Sequence, residues 1–415
     1  MEEAGIEAGE GRRNAGAYPY VLFAICFLAG VFGGITSTLM SAYLPDVVGE
    51  LTGITGAGGM EQAGAAINAA FLFGMTFGGL MVGYLSDLWG RKNAVLLSIG
   101  CIGVFTLLTA FADHWMLVVG LRFFSGSGLG GILVSTTVII AEVWTARKKN
   151  IALGILSVTI PVGIFATGLI TYSFPDWRSG FLFGILPLVL LFIAWFYMEE
   201  SEEWRLKAAR TGAGPKPAGR FFSELDVRDL AYGSAVFGTM LIGVWAVLAW
   251  LPTWVQTVVS DTDGQQERGI SMMLFAVGGL AGGFASGWIS NLIGMRRTML
   301  VCFGATFLLA IALFQFSPAL TMLSYVEIVL ISAFFGISQG VLNAYIPALF
   351  PTSVRSSATG FCFNVGRIFT AAAVFFVGWL VQLLGGYGNA ITVFSLTLLI
   401  GFLFTLGVRE RVLFR

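Results

Sequence analysis

The sequence predicts an all-α membrane protein: twelve transmembrane helices in two pseudo-symmetric six-helix bundles, with both termini in the cytoplasm. Three observations carry this expectation. Of the 415 residues, 57% are hydrophobic and only 11% charged, against about 25% charged in soluble domains, so no ordinary water-facing surface can be built. Twelve apolar runs reach or approach the ~20 residues that a helix needs to cross a bilayer. The loop after the second run returns in recognisable form after the eighth.

The runs lie at about 18–44, 64–85, 93–112, 115–143, 151–174, 180–198, 230–259, 270–289, 298–316, 320–350, 358–384 and 390–408. Before the first comes a polar, acid-rich start without the basic opening of a cleaved leader, so the first run reads as a retained span. The longest polar interruption, 199–229, has Gly212-Ala213-Gly214-Pro215 in its middle and reads as a solvated linker. This divides the chain into a tail (1–17), a first bundle (18–198), the linker (199–229), a second bundle (230–408) and a tail (409–415). The 55 glycines suit helices that approach closely.

Charge sets the orientation. All basic residues except Arg122, Arg178, Arg268 and Arg367 fall in the tails and alternate loops on the side of the N-terminus, which the positive-inside rule makes cytoplasmic. The outer loops are expected to carry Arg178 and Arg268 with Asp46, Glu50, Glu61, Asp113, His114, Asp176, Asp261, Asp263 and Glu267. Arg122 and Arg367 fall inside spans. Cys26, Cys101, Cys302 and Cys362 lie in apolar runs at spacings that fit neither a disulfide framework nor a metal site, and read as small buried hydrophobes.

The repeat is explicit. Gly83-Tyr84-Leu85-Ser86-Asp87-Leu88-Trp89-Gly90-Arg91-Lys92 is answered, 204 residues further on, by Gly287-Trp288-Ile289-Ser290-Asn291-Leu292-Ile293-Gly294-Met295-Arg296-Arg297. A weaker pair aligns Glu142-Val143-Trp144 and Arg147-Lys148-Lys149 with Ala348-Leu349-Phe350 and Arg355 at nearly the same offset. Such parallel repeats build one large group of secondary transporters.

The loop motif between spans two and three resembles the signature of the major facilitator superfamily, and Arg122-Phe123-Phe124-Ser125-Gly126 resembles its span-four motif. Trp177-Arg178-Ser179-Gly180-Phe181, Glu199-Glu200-Ser201, Phe350-Pro351-Thr352 and Gly360-Phe361-Cys362-Phe363-Asn364-Val365-Gly366-Arg367 are similar to the branch of organic-ion transporters, bacterial aromatic-acid/proton symporters and nicotinate transporters. The resemblance implies alternating access, with Asp87, Arg91 and Glu142 forming a cytoplasmic latch. Physically, Asp87 can pair with Arg91 and cap the next helix, and Glu142 can join them. In the second copy Asn291 and Ala348 replace both acids, so its latch should be weaker.

A charge within a span is costly unless paired or wetted, which makes it a functional candidate. Arg367 lies about 18 Å along a helix from Arg355, near mid-membrane, with Asn364 on the same face. Its guanidinium can hold a carboxylate by two parallel hydrogen bonds, and the resemblance agrees. The competing role is a structural arginine on helix carbonyls. Arg122 has two readings, proton coupling by resemblance or helix packing. Glu327 is the acid placed well inside a span. The related symporters carry acids in span one, and Phe32-Gly33-Gly34-Ile35-Thr36 has none, so proton symport and anion exchange both stay open. Gln339 and Asn343, four apart, share a face; Trp245, Trp250 and Tyr345 can stack on an aromatic substrate; Thr36 completes the cavity candidates.

The expected function is secondary transport of a small organic anion, with an organic-cation or drug exporter or a neutral-solute carrier as the alternative. An enzyme would need paired acids, an activated nucleophile or clustered histidines. No Gly-x-x-x-x-Gly-Lys loop is present for ATP, no cofactor or metal is implied, and a formal charge of zero offers nucleic acid no basic field. The expected partners are the small-molecule substrate, protons and the lipid bilayer of the cell membrane, around a monomer.

Overall fold

The structure is a computed structural model. It describes residues 18–406 except 53–56, 145–151, 154, 203, 207–226, 260–263, 318 and 351–354. The expectations about Arg147, Lys148, Lys149, most of the linker and both tails lie outside the described residues.

The main helices are α1 (Tyr18–Leu51), α2 (Ala57–Trp89), α3 (Arg91–Thr109), α4 (Trp115–Val143), α5 (Thr159–Ser173), the short α6 (Trp177–Leu182), α7 (Ile185–Tyr197), α8 (Val227–Val258), α9 (Gln265–Ile293), α10 (Met295–Phe316), α11 (Met322–Ala348), α12 (Arg355–Leu384) and α13 (Tyr387–Leu406). Among the described residues, eleven helices are long and apolar enough to cross a bilayer, with α6 and α7 counted as one, and α5 is a shorter apolar helix. The sixth expected span is broken at Phe183 and Gly184. There the chain presses on α3: a Cβ on Gly184 would lie 2.5 Å from the Leu107 nitrogen.

Several helices run further than their apolar runs. α1 continues to Leu51 and takes in Asp46 and Glu50, and α9 begins at Gln265 and takes in Arg268. Residues expected in outer loops therefore belong to helices. Hydropathy ends a run where charge begins, whereas a helix continues while its backbone hydrogen bonds are satisfied. His114 caps α4, its Nδ1 accepting from the Met116 N–H at 3.2 Å.

The two parts of the chain pack alike. Among residues 18–197, α2 packs on α4, α3 on α4, α1 on α5 and α3 on α7. Among residues 227–406, α9 packs on α11, α10 on α11, α8 on α12 and α10 on α13. Glycines make the tightest crossing in both. Gly74 and Gly78 of α2 lie against the carbonyls of Phe123 and Ser127 on α4; Gly278 and Gly282 of α9 lie against those of Val329 and Ala333 on α11. A side chain at any of these four would strike backbone.

Among the described residues, the more extensive crossings between the parts are α1 with α8, α2 with α12 and α5 with α9, and α1 also meets α9. α1 and α2 are antiparallel, with Leu44 against Gly64. Asp87 thus stands about 45 Å along α2 from the end that holds Asp46, and the two faces are called here the Asp46 end and the Asp87 end.

Candidate functional site

At the Asp87 end, Arg91 organises a cluster. Its Nη1 donates to Asp87 Oδ1 at 2.7 Å and to the Ser86 carbonyl at 2.9 Å, and its Nη2 meets Glu142 Oε1 at 3.0 Å. The Arg91 side chain is only 7% exposed while that of Asp87 is 59% exposed, so Glu142 and Ser86 supply the buried partners. Asp87 does not cap α3. That role falls to Glu200, whose Oε1 accepts the Arg91 N–H at 2.7 Å and whose Oε2 accepts the Lys92 N–H at 3.2 Å. Glu200 can reach these donors because Gly90, at φ 105°, has no Cβ to exclude it. Trp204 Nε1 closes the cluster on the Asp87 carbonyl at 3.0 Å.

Midway along the interface, α12 places Arg367 and Asn364 beside α2. A Cβ at Gly79 would lie 3.7 Å from Asn364 Oδ1 and 3.9 Å from Arg367 Nη1, so both side chains reach across to the other part of the chain. Arg367 Nη1 donates to Asn364 Oδ1 at 3.3 Å. Among the described residues no carboxylate lies within ion-pair distance of Arg367. Phe363, one turn before it, stacks on Phe237 of α8 with centroids 4.3 Å apart. Gly79 and Phe237 escaped the sequence reading. A glycine with nothing polar around it and one Phe among 37 carry no signal until α2, α8 and α12 are seen to meet.

The other candidates lie elsewhere. Gln339 Nε2 donates to Asn343 Oδ1 at 2.8 Å, and Asn343 is exposed. Trp245 is half-buried on α8. Trp250 is fully buried, stacked on Tyr387 with centroids 5.4 Å apart and packed near Gly64 at the Asp46 end. Tyr345 is buried beside Tyr232, whose hydroxyl donates to the Phe404 carbonyl at 3.0 Å. Thr36 is buried; its hydroxyl meets that of Thr106 at 3.2 Å and its carbonyl accepts from Arg122 Nη1 at 2.7 Å. Arg122 also lies 4.0 Å over the Phe71 ring, so it ties α4 to α1 and α2 without a carboxylate. Glu327 is buried near the start of α11 with one oxygen unpartnered.

Known proteins share this architecture. The sequence model of the Major Facilitator Superfamily matches residues 57–374. The chain belongs to the major facilitator superfamily. A cis,cis-muconate transport protein of Acinetobacter baylyi is 26% identical, over 89% of this chain and 90% of its own length. A gallate transporter of Pseudomonas putida is also 26% identical, over 86% and 84%, and a 4-hydroxybenzoate transporter of Pseudomonas aeruginosa is 21% identical, over 88% and 87%. Among solved structures, a D-xylose-proton symporter superposes with a TM-score of 0.78, covering 94% of this chain and 98% of that one at 16% identity. That likeness concerns the fold. As a member of the superfamily the protein is a transporter of the membrane, not an enzyme, and the Arg91 cluster lies within the residues that the family model matches.

Proposed function

We propose that this transporter carries a small organic anion, a carboxylate on an aromatic or conjugated frame, by alternating access between two six-helix bundles with the Asp87 end in the cytoplasm. Arg367 is the anion receptor. The observation that carries the reading is the Arg367 guanidinium at the interface of α12 with α2, bonded to Asn364 and without an acid partner among the described residues. A guanidinium has five N–H donors, and the one committed to Asn364 leaves a pair for a carboxylate. A charge kept at mid-membrane without a counter-ion is costly, which a substrate carboxylate relieves whenever it binds. Relatives named for muconate, gallate, gentisate and 4-hydroxybenzoate agree with this chemistry. The Phe237–Phe363 stack offers an aromatic wall one turn from the guanidinium.

Uptake into proteoliposomes of labelled muconate, gallate and 4-hydroxybenzoate, with tetraethylammonium and xylose as counter-examples, tests the reading. Losing a charge-assisted bidentate contact costs about 3 kcal/mol, so Arg367→Gln should lower carboxylate uptake roughly a hundredfold at limiting substrate. Uptake of the cation or the sugar alone, or carboxylate uptake unchanged in Arg367→Gln, overturns it. The same vesicles with an imposed proton gradient, or preloaded with unlabelled anion, separate proton symport from exchange.

A further inference from the structure

A side-chain ion pair joins the two parts of the chain far from Arg367, at the Asp46 end. Arg268, in the first turn of α9, donates from Nη1 to Asp46 Oδ2 at 2.9 Å and from Nη2 to Asp46 Oδ1 at 3.3 Å. The Arg268 side chain is fully buried, 0% exposed, and that of Asp46 is 30% exposed. Arg268 Nε is buried with no partner. Of the four side-chain ion pairs among the described residues, this one alone joins residues 18–197 to residues 227–406.

Its surroundings form a seal. One turn before Arg268, Gln265 Nε2 donates to the carbonyls of Thr171 and Phe174 at the end of α5, both at 2.7 Å. Tyr43 of α1 donates its hydroxyl to the same Phe174 carbonyl at 2.6 Å. Gly168 and Gly269 bring the α5 and α9 backbones together: a Cβ on either would lie 2.6–2.8 Å from the other's carbonyl oxygen. Three helices from two parts of the chain thus meet around one buried guanidinium. Opening this end would strip Arg268 of its carboxylate and α5 of the Gln265 amide.

We propose that Asp46 and Arg268 are gate residues of the transport cycle: their ion pair, sealed by Gln265, holds the Asp46 end closed and breaks each time that end opens. A bidentate arginine–carboxylate pair suits this role because its geometry is all-or-none and both ions can be rewetted once parted. The assignment goes beyond the choice of solute. It asks only that the two parts separate at this end.

A cysteine reporter tests the gate without any transport measurement. Ser271 is fully buried one turn after Arg268, and Ser271→Cys can be labelled by a charged maleimide in the purified protein. Asp46→Asn and Arg268→Gln should each raise the labelling rate about tenfold, the response to about 1.4 kcal/mol lost from the closed state. The double variant should label no faster than either single one, since both remove the same interaction. Unchanged rates in the single variants overturn the gate, as does a double variant whose effects multiply to about a hundredfold. Cys26 and Cys362 are also fully buried; their labelling alongside the reporter would show general loosening and overturn the assignment too. Failure of this test leaves the Arg367 reading intact, and a solute-uptake failure leaves the gate intact.

Discussion

The loop after α2 and its copy after α9 share a backbone and little else. Gly90 stands at φ 105° and ψ 161°, Gly294 at φ 86° and ψ 147°, a region that essentially only glycine occupies. Around Gly90, Arg91 is buried between Asp87, Ser86 and Glu142, while Glu200 caps α3. Around Gly294, Met295 stands in the place of Arg91 and Asn291 in the place of Asp87, and among the described residues nothing lies within 4 Å of the Gly294 Cβ position. Arg296 turns instead to the end of α13, donating to the Leu406 carbonyl at 2.6 Å. Duplication has kept the turn that reverses the chain, which any copy needs. It has not kept the charges, which only one copy uses to tie α2, α3 and α4 together.

The largest expected effect breaks the cluster outright. Arg91→Leu leaves Glu142, whose side chain is 14% exposed, without its counter-ion. Removing one partner of a buried pair should cost about 3 kcal/mol, read as a lower thermal unfolding midpoint of the purified protein. Arg296→Leu, which removes hydrogen bonds to carbonyls of a half-exposed helix end, should cost about 1 kcal/mol. Equal losses would mean that the cluster adds nothing beyond helix-end bonding. The two glycines sharpen the contrast. Gly90→Ala and Gly294→Ala both force alanine into a glycine-only conformation, about 1.5 kcal/mol each. Gly90→Ala additionally pushes Glu200 off the α3 N-terminus and should lose about 1 kcal/mol more. A deficit at Gly90 that persists in a Glu200→Ala background would contradict that account.

At the interface with Arg367 the expected effect is on transport. Gly79→Ala has ordinary van der Waals room, since its nearest neighbour would be the Gly130 carbonyl at 3.6 Å. Gly79→Leu places a branched side chain where Asn364 and Arg367 reach across. Uptake of a labelled carboxylate should survive the alanine and fall at least about tenfold with leucine, the equivalent of about 1.4 kcal/mol. Retention of uptake by Gly79→Leu would place the anion elsewhere.

How far such features can be read from sequence depends on their range. Most of the spans were legible because hydropathy is local, and Asp87 and Arg91 because the loop motif sets them four positions apart; Glu142, far along the chain on α4, joined them only through the family resemblance. Asp46 and Arg268 were not legible, because each alone looks like a charge at the rim of a span. Only the packing of α9 against α1 makes them partners across more than two hundred residues. Trp250 and Tyr345 show the same limit in reverse. Their helical positions name a face, but that face turns to Tyr387 and Gly64 for one and to Tyr232 for the other. The cap on α3 illustrates a third case: Asp87 has the right chemistry nearby, yet Glu200 arrives from beyond α7 with better geometry.

The smallest expected effect asks whether residue types alone make the latch. Asn291→Asp with Met295→Arg would rebuild the i, i+4 pair of the first loop in the second, on a backbone turn that already matches. Asn291 is exposed and Leu292 beside it is 83% exposed, so the new pair would stand in water, screened by salt. Ala348 offers no second carboxylate in the place of Glu142. The gain should be about 0.3–0.5 kcal/mol, the value of a helical surface pair, and should vanish in molar salt, as read by unfolding midpoints at two ionic strengths. A salt-resistant gain approaching the loss in Arg91→Leu would mean that spacing suffices and burial is incidental. A small, salt-sensitive gain assigns the difference between the two loops to the dry contacts that Glu142, Ser86 and Glu200 provide in the first and no described residue provides in the second.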